Sequence, residues 1–210
     1  MTQQYNPANY FPGKASRILF QAMQEVIGCR CVDSVLDQAR LPHLMDQSSS
    51  EDSKQPLNFN QVSLIQTALE KLHGPRGGQG LALRSGRACF KYGLREYGSL
   101  LGMTNLSFRL QPLQVKVKMG IEKLADALSR HGDQQVRVVE KEKEFLWVVE
   151  HCPVCWGRCS ENPACHLVVG FLQEALNWLS GGKTFLVDET SCIARGDATC
   201  TFRFDKKPLE

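Results

Sequence analysis

The chain has 210 residues, 42% hydrophobic and 22% charged, a balance that fits one folded globular domain or at most two. Its formal net charge is only +3 and no lysine or arginine block is long, so the electrostatic footprint of a nucleic-acid-binding surface is excluded. No run approaches 18 apolar residues and the chain begins Met1-Thr-Gln-Gln-Tyr, so neither a membrane span nor a secretory leader is expected and the reading is a cytoplasmic protein.

Residues 1–13 are polar, contain two prolines and read as a tail. From Lys14 to about Ile27, apolar Ile18, Leu19, Ala22, Met23, Val26 and Ile27 recur at helical spacing. A second helix is predicted from Cys31 to Ala39, stopped near Leu41-Pro42, and a polar loop from Asp46 to Lys54. Phe59 to His73 is a third helix, with Val62, Ile65, Leu69 and Leu72 along one stripe. The glycine-rich stretch from Gly74 to Gly80 follows a helix rather than a strand and lacks a Gly-Lys-Ser/Thr sequence, so it reads as a turn between helices rather than a phosphate cradle. Leu81 to Leu101 is a fourth helix carrying Gly86, Gly93 and Gly98. Each glycine weakens a helix interior by roughly 1 kcal/mol relative to alanine. They are tolerated where another backbone or a flat ligand approaches closely, and a helix crossing is the plainer of the two explanations.

A fifth helix is expected from Leu113 to Ser129, then two strand-like segments from Gln135 and from Glu144 that form a hairpin around Lys141-Glu-Lys. Leu167 to Leu179 is a sixth helix, ended by Gly181-Gly182. Two more strands follow, Lys183 to Glu189 and Cys200 to Phe204, joined by a turn at Arg195-Gly-Asp197. Helices first and an antiparallel sheet gathering toward the end give an α+β fold, with the N-terminal helices packed on the C-terminal sheet.

Six of the nine cysteines fall between positions 152 and 200. In a reducing compartment such clustering points to metal or redox chemistry rather than to disulfides. Closing the sixth helix onto the last strands would gather Cys165, Glu189, Cys192 and Cys200, three thiolates and a carboxylate that suit a tetrahedral zinc. A filled shell of four leaves no place for water, so such a site braces structure. Cys152, Cys155 and Cys159 form a second group beside His151, able to contribute to another metal site or a redox dithiol. With Cys165 they would supply the four thiolates of an iron–sulfur cluster, although the spacing matches neither common ferredoxin pattern. Cys89 reads as core.

With Cys165-His-Leu-Val-Val-Gly-Phe, Gly181-Gly-Lys and Glu189-x-x-Cys192-x-Ala-x-Gly196-Asp-x-x-Cys200-x-Phe202, the chain resembles the 4-vinyl-reductase-like, or hydrocarbon-binding, domain family over roughly Arg84 to Phe204. The resemblance implies a fold like that of haem-nitric-oxide-binding domains and TRAPP subunits, frequently dimeric. In the related sensor domains of phenol-responsive activators a zinc is held by a cysteine, a glutamate and two cysteines, positions that match Cys165, Glu189, Cys192 and Cys200. It also implies a division into an N-terminal helical region, 1–80, for dimerisation or packing, and a metal- and ligand-binding domain, 81–210.

The expectation that follows is a homodimeric protein that binds a small hydrophobic molecule, with zinc as a brace. By family association the ligand is a tetrapyrrole or chlorophyll precursor, and the protein an accessory to pigment biosynthesis. Candidate pocket residues are Phe90, Tyr92, Gly93, Tyr97, Phe108, Trp147, Phe171 and Trp178, with His131, His151 and His166 as candidate axial ligands. The alternative is a subunit of a tetrapyrrole vinyl reductase with an iron–sulfur cluster. The absence of a Gly-x-Gly-x-x-Gly fingerprint argues against independent hydride chemistry.

Overall fold

The computed structural model describes residues 9–49 and 55–209. Most of the expected tail and the second half of the loop from Asp46 to Lys54 lie outside these residues. What is described of the tail forms a two-residue strand, β1 (Tyr10–Phe11). The start of the loop is helical.

Helix α1 (Gly13–Ile27) follows Pro12 and buries Ile18, Leu19, Phe20, Ala22 and Met23 on the face its periodicity marked. Gly28, at φ 81°, turns the chain directly into α2 (Cys29–Gln38), which buries Val32, Val35 and Leu36. A 3-10 turn at Pro42–Leu44 leads to α3 (Met45–Ser49). Strand β2 (Leu57–Asn58) pairs antiparallel with β1, and the Leu57 N–H donates to Ser16 Oγ at 3.1 Å, tying α1 to the next helix start.

Helix α4 (Phe59–Tyr97) opens on a capping box in which Asn58 and Gln61 satisfy each other's backbone N–H groups. It corrects the expected turn over Gly74–Gly80. Only Gly74 leaves helical geometry, at φ 73° and ψ 162°. Pro75 restarts the helix at once, because its missing N–H costs nothing in a first turn. The two predicted helices are therefore one kinked rod. Gly78 lies so close to the Glu70 backbone that a side chain there has no room.

A short helix α5 (Leu106–Arg109) precedes α6 (Leu113–His131). The hairpin of β3 (Val136–Glu140) and β4 (Glu144–Val149) forms as expected. Helix α7 (His166–Ser180) ends on left-handed Gly181, and Gly182 N–H returns to Asn177 O. Strands β5 (Val187–Ser191) and β6 (Cys200–Asp205) complete an antiparallel sheet in the order β3-β4-β6-β5. Register sets Trp147 opposite Phe202 and Phe145 opposite Phe204, so alternate residues of β4 and β6 stack into the core. The α4–α7 crossing depends on glycine from both sides. A side chain at Gly86 would collide with the Leu167 carbonyl, and one at Gly170 with the Leu83 carbonyl.

Candidate metal centre and an apolar cavity

The cysteines reach one place by four routes. After β4 the chain enters a loop that buries Cys152 and Cys155. Cys165 is the N-cap residue of α7, where the positive end of the helix dipole favours a thiolate. A bulge between Glu189 and Ser191 ends β5 and delivers Cys192 to a 3-10 turn at Ile193–Arg195. That turn closes on Gly196 at φ 94°, with the Cys192 N–H donating to Asp197 Oδ2 at 2.8 Å. Cys200 opens β6 opposite Val149, directly under the loop.

Sulfur–sulfur distances are 3.5 Å for Cys152–Cys165, 3.3 Å for Cys155–Cys200, 3.7 Å for Cys165–Cys200 and 3.9 Å for Cys165–Cys192. They are far longer than a disulfide bond of about 2.05 Å. Tetrahedral zinc with Zn–S bonds of about 2.3 Å spaces its sulfurs by about 3.8 Å. Among the described residues, two overlapping quartets have ligand atoms within 4.8 Å of one another: Cys152, Cys155, Cys165 and Cys200, and Cys165, Glu189, Cys192 and Cys200. Both donor sets fit zinc or another thiophilic cation.

The electrostatics agree with a site made for a cation. Glu189 accepts the Cys165 N–H at Oε2, 2.8 Å away, while its Oε1 is buried with no protein partner. Burial, more than its neighbours, pushes the Glu189 carboxyl up to about 8. S–H donation from Cys155, Cys165 and Cys200 holds Cys152 well below the usual thiol range, while burial pushes Cys165 well above it. Thiols alone cannot all ionise here, whereas a cation would let them.

Cys159, grouped with Cys152 and Cys155 in the sequence reading, is exposed and belongs to neither quartet. Gly157, at φ 67°, turns the loop outward. Arg158 then anchors it to α4 through Glu70 Oε2 at 2.6 Å, and Ser160 N–H to the Ala194 carbonyl at 2.9 Å. Cys89 lies on α4 with its thiol pushed up to about 12 by burial, an unreactive group.

Beside the cluster is a cavity of about 170 Å³, walled by α1, α4, α6, α7 and β4. Phe90, Gly93, Tyr97, Trp147 and Phe171 line it, and Phe90 meets Phe171 edge to face at 5.6 Å. Tyr92, Phe108 and Trp178 do not. Tyr92 lies under the Arg95 guanidinium, 5.6 Å from its ring centroid, while Phe108 and Trp178 line a separate depression with Arg109, Lys116 and Glu174. Of the three histidines only His131 reaches the cavity wall. His151 Nδ1 is 3.1 Å from the Asp133 carbonyl, and His166 Nδ1 is buried without a protein partner. Wall residues that the sequence did not single out include Phe11, Ile18, Leu124 and Leu128, whose helical periodicity reads equally well as plain core. Pro153 and Val154, between Cys152 and Cys155, also line the cavity.

Residues 147–206 match the model of the 4-vinyl-reductase domain, the family that the cysteine and glutamate spacing resembles. A curated relative, an uncharacterized protein of Methanocaldococcus jannaschii, is 33% identical over 67 residues, 32% of this chain and 36% of the relative. The chain thus spans about a third of the length of the curated relative it matches. Over its full fold the chain is similar to an Fe(II) unliganded H-NOX protein from K. algicida, with a TM-score of 0.60 at 12% identity, covering 95% of this chain and 98% of that one. A point mutant of the T. tengcongensis H-NOX gives 0.58 at 11% identity, covering 94% and 100%. The phenol-responsive sensory domain of the transcription activator PoxR gives 0.48 at 18% identity, covering 72% and 77%. The H-NOX likeness establishes the α+β fold. No helix among the described residues is long and apolar enough to cross a membrane.

Proposed function

Taking the 4-vinyl-reductase domain match over residues 147–206 as premise, we propose that the protein binds a small hydrophobic molecule in its apolar cavity, and that zinc in the cysteine cluster braces one wall of that cavity. The observation that carries this reading is the double role of one loop: Cys152 and Cys155 are cluster ligands, and Pro153 and Val154 between them face the cavity. A metal that fixes the two cysteines fixes the wall. With four protein ligands per ion and no open position, the site supplies structure and not hydrolysis.

The cavity sets the ligand class. An apolar void of about 150 Å³ accommodates benzene, so about 170 Å³ suits a molecule of one aromatic ring or of similar bulk. A tetrapyrrole needs several times that space. His131 on the cavity wall favours it as a second reading, since an imidazole there would serve as an axial ligand once the walls part. Service in pigment biosynthesis, or as a vinyl reductase subunit, belongs with that second reading.

Trp147 lines the cavity, so its fluorescence reports occupancy. Titration of the zinc-loaded protein with phenol and toluene is expected to give saturable quenching, and haemin no sharpened Soret band. A Soret band with one equivalent of haemin would replace the first reading by the second. No response to either class would defeat both.

A further inference from the structure

The two ligand quartets are not alternatives drawn from a crowd of thiols. They share two members, Cys165 and Cys200, and each adds a pair at the same spacing, Cys152-x-x-Cys155 in one and Glu189-x-x-Cys192 in the other. We propose that the cluster is a binuclear site, in which Cys165 and Cys200 bridge two zinc ions as thiolates. Cys152 and Cys155 complete the shell of one ion, and Glu189 and Cys192 that of the other. This deepens the proposed function and rests on the cluster being a metal site.

The positions of the sulfurs fit those roles. Cys165 Sγ is 3.5 Å from Cys152 of one pair and 3.9 Å from Cys192 of the other. Cys200 Sγ is 3.3 Å from Cys155 and 3.7 Å from Cys165, the second bridge, and it belongs to both quartets. Six donors make two complete tetrahedra only if two are shared, and the two shared sulfurs are the central ones.

Charge points the same way. Five thiolates and a carboxylate carry six negative charges in a site whose cysteines are all buried. Two divalent ions leave two charges uncompensated, the residue of an ordinary four-cysteine zinc site, whereas one ion leaves four. Uncompensated charge in a low-dielectric interior is costly. A single ion would instead require one pair to stay neutral as buried spectators. Glu189 adds a separate observation: Oε2 is engaged by the Cys165 N–H, and the buried Oε1 has no protein partner, leaving it free for the second ion.

Native mass spectrometry and elemental analysis of the full chain, expressed with zinc, count the ions directly. Two zinc per chain is expected. One per chain overturns the bridged pair and leaves the single-ion brace standing, while none overturns both. In the double variant Cys152→Ser/Cys155→Ser the count should fall to one; retention of two would place an ion outside the cluster and overturn the proposal. If that variant fails to fold, cobalt(II) in the wild-type chain decides. Bridging thiolates couple the two high-spin ions antiferromagnetically, lowering the moment per cobalt below that of an isolated ion, and two independent moments would refute the bridge.

Discussion

The cysteine cluster and the cavity beside it share a wall but are held by different physics. The cluster gathers six donors that repel one another when ionised, so its order depends on a cation and on the thiolates that bind it. The cavity depends on the fit of backbones. Helices α4 and α7 approach so closely at Gly86 and Gly170 that the walls stand apart by the geometry of the crossing. Removing the cation attacks the first arrangement and its shared wall, Pro153–Val154, while the crossing and the packing of α1, α2 and α4 persist. The molecule therefore has one end whose stability is conditional and one whose stability is intrinsic.

The largest effect separates these ends. Cys200→Ser removes a ligand common to both quartets, and loss of a structural metal removes folding free energy outright. A loss of several kcal/mol is expected, lowering the melting temperature by about 10 °C or more at this chain length. Cys159→Ser, at an exposed thiol outside the cluster, should change stability by less than about 0.5 kcal/mol. Thermal melts with and without a chelator check both: the chelator should shift the wild type toward Cys200→Ser and leave that variant nearly unmoved. Equal melting of the two variants would deny the cluster its stabilising role.

The middle-sized effect tests the intrinsic end. Gly170→Ala sets a methyl group against the Leu83 carbonyl, a backbone atom that cannot swing aside. Forcing the helices apart is expected to cost about 1–3 kcal/mol, and the cost should be the same with or without zinc. A chelator-dependent loss would mean that the crossing and the cluster are one cooperative unit.

These two regions were also unequally legible in the sequence. Few residue types ligate zinc, so Cys165, Glu189, Cys192 and Cys200 stand out by chemistry and spacing alone, and the structure brings those four together. What spacing does not contain is the strand register that sets Cys200 opposite Val149, beneath the loop bearing Cys152 and Cys155. It also does not contain the outward turn at Gly157 that removes Cys159. Helices α1, α6 and α7 and the β3–β4 hairpin follow from periodicity, which is local. The kink at Gly74 does not, because glycine followed by proline signals a helix end and a helix start equally well. The cavity wall is least legible. Phe90 and Phe108 have the same chemistry and similar burial, and only their places in the assembled fold put one on the cavity and the other on a separate depression.

Gly93 yields the smallest change in stability and the cleanest separation of binding from folding. The helix carries three glycines whose presence has two explanations, close packing and room for a ligand. Gly86 answers to the first, since a side chain there meets the α7 backbone. Gly93 answers to the second: a Cβ built on it meets nothing within 4 Å, and the residue lines the cavity. Gly93→Ala should therefore be neutral or stabilising, by up to about 1 kcal/mol of helix propensity. Gly93→Leu should fill the void, keep the fold and zinc content, and weaken binding of a single-ring aromatic at least tenfold by Trp147 fluorescence. If Gly93→Leu binds as tightly as the wild type, the ligand lies elsewhere. If Gly93→Ala is destabilised as Gly170→Ala is, the glycine serves packing after all, and the space beside it is too well used to hold a guest.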